Sequence, residues 1–174
     1  YVTENMTLRS FSGLKEIWLD PSKTPQYYPL VHTSYWLEYR FWGLDPAGYH
    51  IVNTMLHAIA ACLLFLVLKR LKLPGAWLAA SVFAVHPVTV ESVAWITERK
   101  NVLSAVFYFL SLLAFMKSVE WSEDKLKRPD YRWYAAALGL FVCALLSKTV
   151  TCSLPAVIVL LIWWRRHPLK LNDV

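Results

Sequence analysis

The stretch from Ile51 to Leu68 contains no Asp, Glu, Lys or Arg, and this property limits how the chain folds more than any other. Its length approaches the roughly 20 apolar residues that carry an α-helix across the hydrocarbon core of a bilayer. Lipid cannot hydrogen-bond to backbone groups, so a segment that enters it must be a helix or part of a closed barrel. The run therefore predicts a membrane-spanning helix.

Four shorter charge-free runs follow, and several end in Trp or Tyr, which lie well in the headgroup layer and lengthen the effective span. Only 17% of the residues are charged, whereas soluble domains carry about 25%. Nine Trp residues among so few charges also argue against a soluble helical bundle. The pattern predicts an all-α polytopic membrane bundle over 47–174, preceded by an extracytoplasmic loop over 1–46. The predicted spans lie near 47–71, 73–87, 101–117, 132–147 and 149–164.

The net charge of +6 is distributed in three clusters that follow alternate runs. If all five runs span the membrane, the clusters fall on one side, and the positive-inside tendency makes that side cytoplasmic. The basic charge is therefore interpreted as topology, and no nucleic-acid partner is expected. The clusters are Lys69, Arg70 and Lys72; Lys125, Lys127, Arg128 and Arg132; and Arg165, Arg166 and Lys170.

The loop over 1–46 contains two candidate helices of amphipathic type. In "SFSGLKEIWL", Phe11, Leu14, Ile17 and Trp18 share one helical face. Ser10 or Ser12 can cap the start, and Asp20-Pro21 ends the helix. "LVHTSYWLEYRFWG" predicts a second helix that Gly43 closes. Helices with aromatic residues along one side are typical of the membrane–water interface.

Three polar side chains stand where the longest apolar run begins. His50, Asn53 and His57 follow the spacing i, i+3 and i+7, so they share one face of the first span. The face either lines a polar cavity or hydrogen-bonds to other helices as structural glue. A divalent metal is a third possibility, although no further ligand with suitable spacing stands nearby.

Two further groups of ionisable residues are expected at the same side of the membrane. "HPVTVESVAWITERKN" contains His86, Glu91, Arg99 and Lys100, on a segment expected to bend at Pro87. This set suits an anionic phosphate, but it also suits a salt-bridged loop. Lys148 lies between the last two apolar runs, where snorkelling to the interface explains it equally well.

Three stretches together resemble one family. They are "YYPLVHTSYWLEYRFWGLDPAGYHIVNTMLH", "HPVTVESVAWITERKNVLS" and "LLSKTVTCSLPAVIVLLIWW". The resemblance is to the membrane part of the tetratricopeptide-repeat transmembrane O-mannosyltransferases and their bacterial relatives, which are GT-C type glycosyltransferases. "ERKN" is similar to the bacterial version, and Thr149 stands where eukaryotic members often have Glu.

The resemblance implies transfer of a hexose, such as mannose, from a polyprenyl- or dolichyl-phosphate donor to an acceptor hydroxyl on the extracytoplasmic face. It implies an acidic catalytic base upstream of Tyr1, a supporting role for Glu91, and donor phosphate or sugar contacts from His50, Asn53, His57, His86, Arg99, Lys100 and Lys148. The implied partners are membrane lipid, the lipid-linked sugar, a protein or glycan acceptor and a downstream repeat domain. The implied location is a bacterial inner membrane, or the endoplasmic reticulum membrane in a eukaryote.

Two other functions fit the same residues. The chain could be a non-catalytic membrane scaffold, in which the polar groups only join helices. It could also belong to a transporter of a lipid phosphate.

Overall fold

The computed structural model describes residues 2–119 and 130–166, with the side chains of 165 and 166 left out. These residues form α-helices and short 3-10 turns and contain no β-strand, which confirms the predicted all-α class. The helices are α1 (Phe11–Leu19), α2 (Pro29–Trp42), α3 (Pro46–Arg70), α4 (Ala76–Val85), α5 (Val90–Ala94), α6 (Arg99–Ser118), α7 (Tyr131–Ser147) and α8 (Leu154–Arg166).

Within the described ranges, two helical segments are long and apolar enough to cross a membrane, namely α3 and the stretch Ile96–Ser118. Helix α4 and the segment Pro87–Ala94 are separated by a bend of 51°. If the two count as one bent span, they form a third membrane-spanning segment. This bend lies at the predicted Pro87. The two remaining predicted spans correspond to shorter apolar helices, α7 and the stretch Thr149–Trp164.

The boundaries of α3 follow from local sequence. Asp45 caps its start by accepting a hydrogen bond from the backbone N–H of Ala47, and Pro46 occupies the first helical position. The chain then reverses within "KLPG", where Lys72 and Gly75 adopt positive φ angles of 58° and 74°. Glycine enters that region at little cost, and this explains the tight connection to α4.

Helix α6 packs beside both α3 and α7, and it runs parallel to α3 and antiparallel to α7. The backbone N–H of Asp130 donates to the carbonyl of Ser118 at 2.7 Å, so α7 starts where α6 ends. The ends of α3 and α6 lie at the same end of the bundle, where Arg70 and Lys117 line one cleft. We call this the basic end. Of the predicted basic clusters, Lys125, Lys127, Arg128 and Lys170 lie outside the described residues.

The opposite end, which we call the polar end, carries the starts of α3 and α6 and the end of α7. Helices α1 and α2 pack there over a core of Leu8, Ile17, Val31, Tyr35 and Tyr49. Of the two serines predicted as possible caps of α1, Ser10 is the cap, because it accepts from the N–H of Gly13 at 3.0 Å.

The buried side of α1 differs from the predicted apolar face. Phe11 is 76% exposed, whereas Gly13 and Ile17 are buried. A Cβ atom on Gly13 would lie 1.8 Å from the carbonyl oxygen of Thr7, so this face is set by close backbone contact. Phe11 instead lies 5.6 Å from the ring of Trp36 on α2, with Arg40 over both rings.

Candidate functional site at the polar end

Arg99, the first residue of α6, is completely buried and pairs with the carboxylate of Glu38 on α2. Its Nη2 donates to Glu38 Oε2 at 3.0 Å and to the carbonyl of Tyr49 at 3.1 Å. Its Nη1 donates to Glu38 Oε1 and, at 3.3 Å, to the hydroxyl of Ser34, and its Nε donates to the side-chain oxygen of Asn53. These contacts occupy all five N–H groups of the guanidinium, which is therefore satisfied by the chain itself.

Asn53 is the connection between α3 and the segment that contains α5. Besides accepting from Arg99, its amide nitrogen donates to the carbonyls of Val93 and Trp95 at 3.3 and 3.0 Å. Tyr35 donates from its hydroxyl to the carbonyl of Ile96 in the same segment. Since irregular backbone inside a bundle needs side-chain partners, these bonds hold the segment against α3 and α2.

The two histidines that share a helical face with Asn53 lie in different surroundings. His57 is buried, and one ring nitrogen lies 3.1 Å from the carbonyl oxygen of Ala84 on α4. Its ring lies 5.1 Å from that of Phe83. His50 is exposed. Asn53 and His57 thus make the interhelical contacts that the glue alternative predicts.

The second predicted group is spread over the surface of the same end. His86 is exposed, and its Nδ1 accepts from the N–H of Val88 at 3.2 Å, so it caps the turn that begins at Pro87. Glu91 is exposed in the first turn of α5. Neither side chain joins the buried group around Arg99.

Lys148 and Lys100 are brought together by Asn101. The Lys148 ammonium donates to Asn101 Oδ1, and Asn101 Nδ2 donates to Glu98 Oε2 at 2.7 Å. Glu98 Oε1 lies 3.2 Å from the ammonium of Lys100. Lys100 also reaches the side-chain oxygen of Gln26, at 3.4 Å. The end of α7, the start of α6 and the connector before α2 therefore meet in one polar network.

Several members of these networks were missed by the sequence analysis, among them Glu38, Asn101 and Gln26. Glu38 could have been found from the sequence, because it is the only acidic residue between Asp20 and Asp45. It also follows Val31 and Tyr35 at helical spacing, on the face that proves to be buried. Gln26 and Asn101 could not, because neutral amides are common and their contacts depend on tertiary structure.

His32 lies completely buried on α2, next to this region. Burial lowers the pKa of its imidazole from 6.5 to about 4, and a hydrogen bond with the backbone of Gln26 offsets this only in part. The imidazole is therefore neutral at pH 7. Among the described residues, no group of three or more His, Cys, Asp or Glu is arranged to hold a metal ion.

No family model and no solved structure matches the chain. Curated relatives do match. Protein O-mannosyl-transferase tmtc2 of Xenopus laevis is 35% identical over 150 residues, which are 85% of this chain and 18% of the relative. Human Protein O-mannosyl-transferase TMTC2 is 31% identical over 150 residues, which again are 85% of this chain and 18% of the relative. Mouse TMTC3 is 34% identical over 68% of this chain and 12% of its own length.

The chain thus spans less than a fifth of the length of these relatives. Identity at this level over 85% of the chain extends through the bundle and the loop before it, so it is not confined to one motif. Over the stretch that it shares with them, the chain belongs to the TMTC family of protein O-mannosyl-transferases.

Proposed function

We propose that this chain is the donor-handling part of an integral-membrane glycosyltransferase. The reaction would move a mannosyl residue from a polyprenyl- or dolichyl-phosphate to a hydroxyl group of a protein, on the extracytoplasmic side. The names of the relatives support mannosyl transfer to protein. The apolar helices support a donor that is held in the bilayer.

The observation that carries the proposal is the joining of Lys148 and Lys100 through Asn101 and Glu98. In the described part of the chain, Lys148 uses one of its three N–H donors on Asn101, so the others can contact an anion. Two ammonium groups at the mouth of an apolar bundle suit a phosphate whose lipid tail lies in the membrane. Glu98 and Asn101 would hold both ammonium groups in place before the donor arrives.

In the proposed step, the acceptor oxygen attacks the anomeric carbon and the bond from that carbon to the phosphate oxygen breaks. A carboxylate takes the hydroxyl proton, and the sugar leaves behind a lipid phosphate that has gained negative charge. Lys148 and Lys100 would stabilise that charge, which develops only as the bond breaks. Exposed Glu91, His50 and His86 stand at the same end, and we assign them to contacts with acceptor or sugar hydroxyls.

We assign Arg99, Asn53 and His57 a positioning role in place of direct contact with the donor. The N–H groups of Arg99 are all engaged within the chain, and a phosphate would have to displace Glu38 to reach them. Through Asn53 and Glu38, Arg99 keeps the segment of α5 and the helix α2 around the mouth of the site.

The test is mannosyl transfer by the intact protein in membranes. We expect Lys148→Gln to lower kcat by about 100-fold or more, which is the effect of losing one stabilising donor, with folding unchanged. Lys15→Gln is the matched control, because Lys15 is an exposed lysine of α1 on the same end. Unchanged transfer by both Lys148→Gln and Lys100→Gln would refute the assignment of the phosphate site.

The scaffold alternative is favoured by the structural contacts of Asn53 and His57, so it needs its own test. A scaffold predicts that changes at Lys148 and Lys100 alter only the yield or thermal stability of the protein. An enzyme predicts loss of transfer at normal yield. A transporter predicts movement of lipid-linked sugar across the membrane without an acceptor.

A further inference from the structure

The basic end, opposite the proposed donor site, contains a cleft of about 660 Å³ between α3, α6 and α7. Ligand pockets in proteins typically measure about 300–1,000 Å³. Lys69 and Arg70 at the end of α3 and Lys117 at the end of α6 line its mouth. None of its described lining residues is acidic. Among the described lining residues, three cations therefore converge on one opening without a carboxylate between them.

The inner walls of the cleft are apolar and run along the helix axes. Leu110, Leu113 and Ala114 of α6 face Leu66 of α3 and Leu140 of α7. At 1.5 Å per residue, the wall from Leu110 to Lys117 is about 10 Å long. The cleft thus has a charged mouth at the helix ends and an apolar depth toward the middle of the bundle.

Trp133 marks the level of the headgroups at this mouth. It is the third residue of α7, and the centroid of its ring lies 3.7 Å from the ammonium nitrogen of Lys117. Tryptophan prefers the interface between headgroups and hydrocarbon. The contact holds the Lys117 ammonium at the same depth as the Trp133 ring, beside the cleft and not away in bulk water.

We propose that this cleft binds one anionic glycerophospholipid, with the phosphate at Lys69, Arg70 and Lys117 and an acyl chain along the leucines. A hydrophobic helix seated here would cover three cations without supplying negative charge, which is costly in a membrane. A lipid phosphate supplies that charge at the level where the cations stand. The same molecule offers an apolar chain to the inner walls, which are lined by leucine and alanine.

The proposal is independent of the donor site, because it concerns the other end of the bundle. It assigns the cleft a resident lipid that joins α3 to α7 across α6. Such a lipid would stabilise the bundle whether or not the protein transfers a sugar.

The experiment is a lipid titration of the full purified chain in an uncharged detergent, with retained lipid counted by native mass spectrometry. We expect phosphatidylglycerol to bind with one-to-one stoichiometry and more tightly than phosphatidylcholine with the same acyl chains. This comparison requires no variant. Equal binding of the two lipids would overturn the proposal, because the cations would then contribute nothing.

The variant arm compares two double substitutions that each remove two positive charges from the same end. Arg70→Gln with Lys117→Gln should weaken phosphatidylglycerol about 25-fold, taking about fivefold for each basic residue near the headgroups. Lys72→Gln with Arg132→Gln is the control, because both residues are exposed and neither lines the cleft. Equal weakening in the control would assign binding to diffuse charge and contradict a discrete site.

A third arm separates a lipid from a free anion. Inorganic phosphate at the ionic strength of a chloride control should leave the bound phosphatidylglycerol in place, because it lacks the acyl chain. Displacement by phosphate, with none by chloride, would overturn the lipid assignment in favour of an anion site.

Discussion

Arg99 and Glu38 lie 61 residues apart in the sequence and form a buried ion pair at the point where α6 begins. The pair joins α2 to α6, because Glu38 belongs to the first helix and Arg99 to the second. Asn53 of α3 contacts the same guanidinium. One arginine thus determines how three helices meet at the polar end.

Removing one partner of this pair is expected to destabilise the protein strongly. Glu38→Gln leaves the buried guanidinium without its counter-charge, and a broken buried pair costs about 3–5 kcal/mol. The thermal unfolding temperature in detergent measures the loss. Glu91→Gln is the control, since it neutralises an exposed carboxylate at the same end.

Replacing both partners distinguishes charge pairing from simple packing as the source of this stability. Glu38→Leu combined with Arg99→Met should be more stable than either single variant, because no charge is left buried alone. If the double variant is less stable than Glu38→Gln alone, charge pairing is not what holds α2 to α6.

The sequence was sufficient for the helices and for several of their ends. The charge-free run predicted α3, and Pro87 predicted the bend after α4. Helix α1 begins after Ser10 and α2 ends before Gly43, as expected. These features depend on residues close together in the chain. They are governed by hydrogen-bond capping, proline geometry and hydrophobic periodicity.

The chemistry of the polar side chains was harder to predict. Arg99 and Lys100 are adjacent in sequence, yet one is buried with every N–H engaged and the other lies in a partly exposed network. The sequence cannot predict which of the two is buried, because the burial of Arg99 depends on the position of Glu38. That position requires α2 to be folded against the start of α6.

Asn53 is expected to act through the backbone that it holds. Asn53→Leu removes the donors to Val93 and Trp95 and leaves the Arg99 Nε without its acceptor; each buried polar group left unpaired costs about 1–3 kcal/mol. Hydrogen–deuterium exchange should increase over residues 93–99. Thr54→Ala is the control, since among the described residues that hydroxyl bonds only to the carbonyl of His50 in the preceding turn.

If the two variants exchange alike across 93–99, the segment is held by its own turns and the assigned role of Asn53 is incorrect. An increase confined to α3 would also contradict it, because it would locate the damage in the helix and not in the segment.

His32 should make stability depend on pH in a defined window. Its pKa is about 4 in the folded chain and 6.5 in the unfolded one, so the unfolded state binds the extra proton between these values. Stability from the neutral imidazole is fully present above pH 6.5 and falls as the pH is lowered toward 4. The slope is about 1.4 kcal/mol per pH unit inside the window.

The measurement is the unfolding temperature of wild type and His32→Phe at several pH values from 7.5 to about 4. The variant should lose less stability on acidification, whatever its stability at pH 7. His50→Gln, which alters an exposed imidazole, should follow wild type. Parallel curves for wild type and His32→Phe would show that this imidazole does not govern the transition.

Gly13 should not accept a side chain. A Cβ atom there would lie 1.8 Å from the backbone oxygen of Thr7, so the turn before α1 must move. Gly13→Ala is expected to cost about 1–3 kcal/mol, as overpacking does, measured by thermal unfolding. Gly139→Ala is the matched helical control, because in the described part of the chain no atom outside its own stretch of helix lies within 4 Å of the added Cβ. Equal losses in the two variants would contradict the packing of α1 on Thr7.

The most direct test of the central claim asks whether Lys148 and Asn101 meet at the polar end of the bundle. The native Cys62, Cys143 and Cys152 are replaced by Ser, and cysteines are introduced as Asn101→Cys and Lys148→Cys. A short bismaleimide should cross-link this pair in membranes, whereas Lys117→Cys paired with Lys148→Cys should not react. A cross-link between 117 and 148, with none between 101 and 148, would contradict the arrangement on which the proposed phosphate site depends.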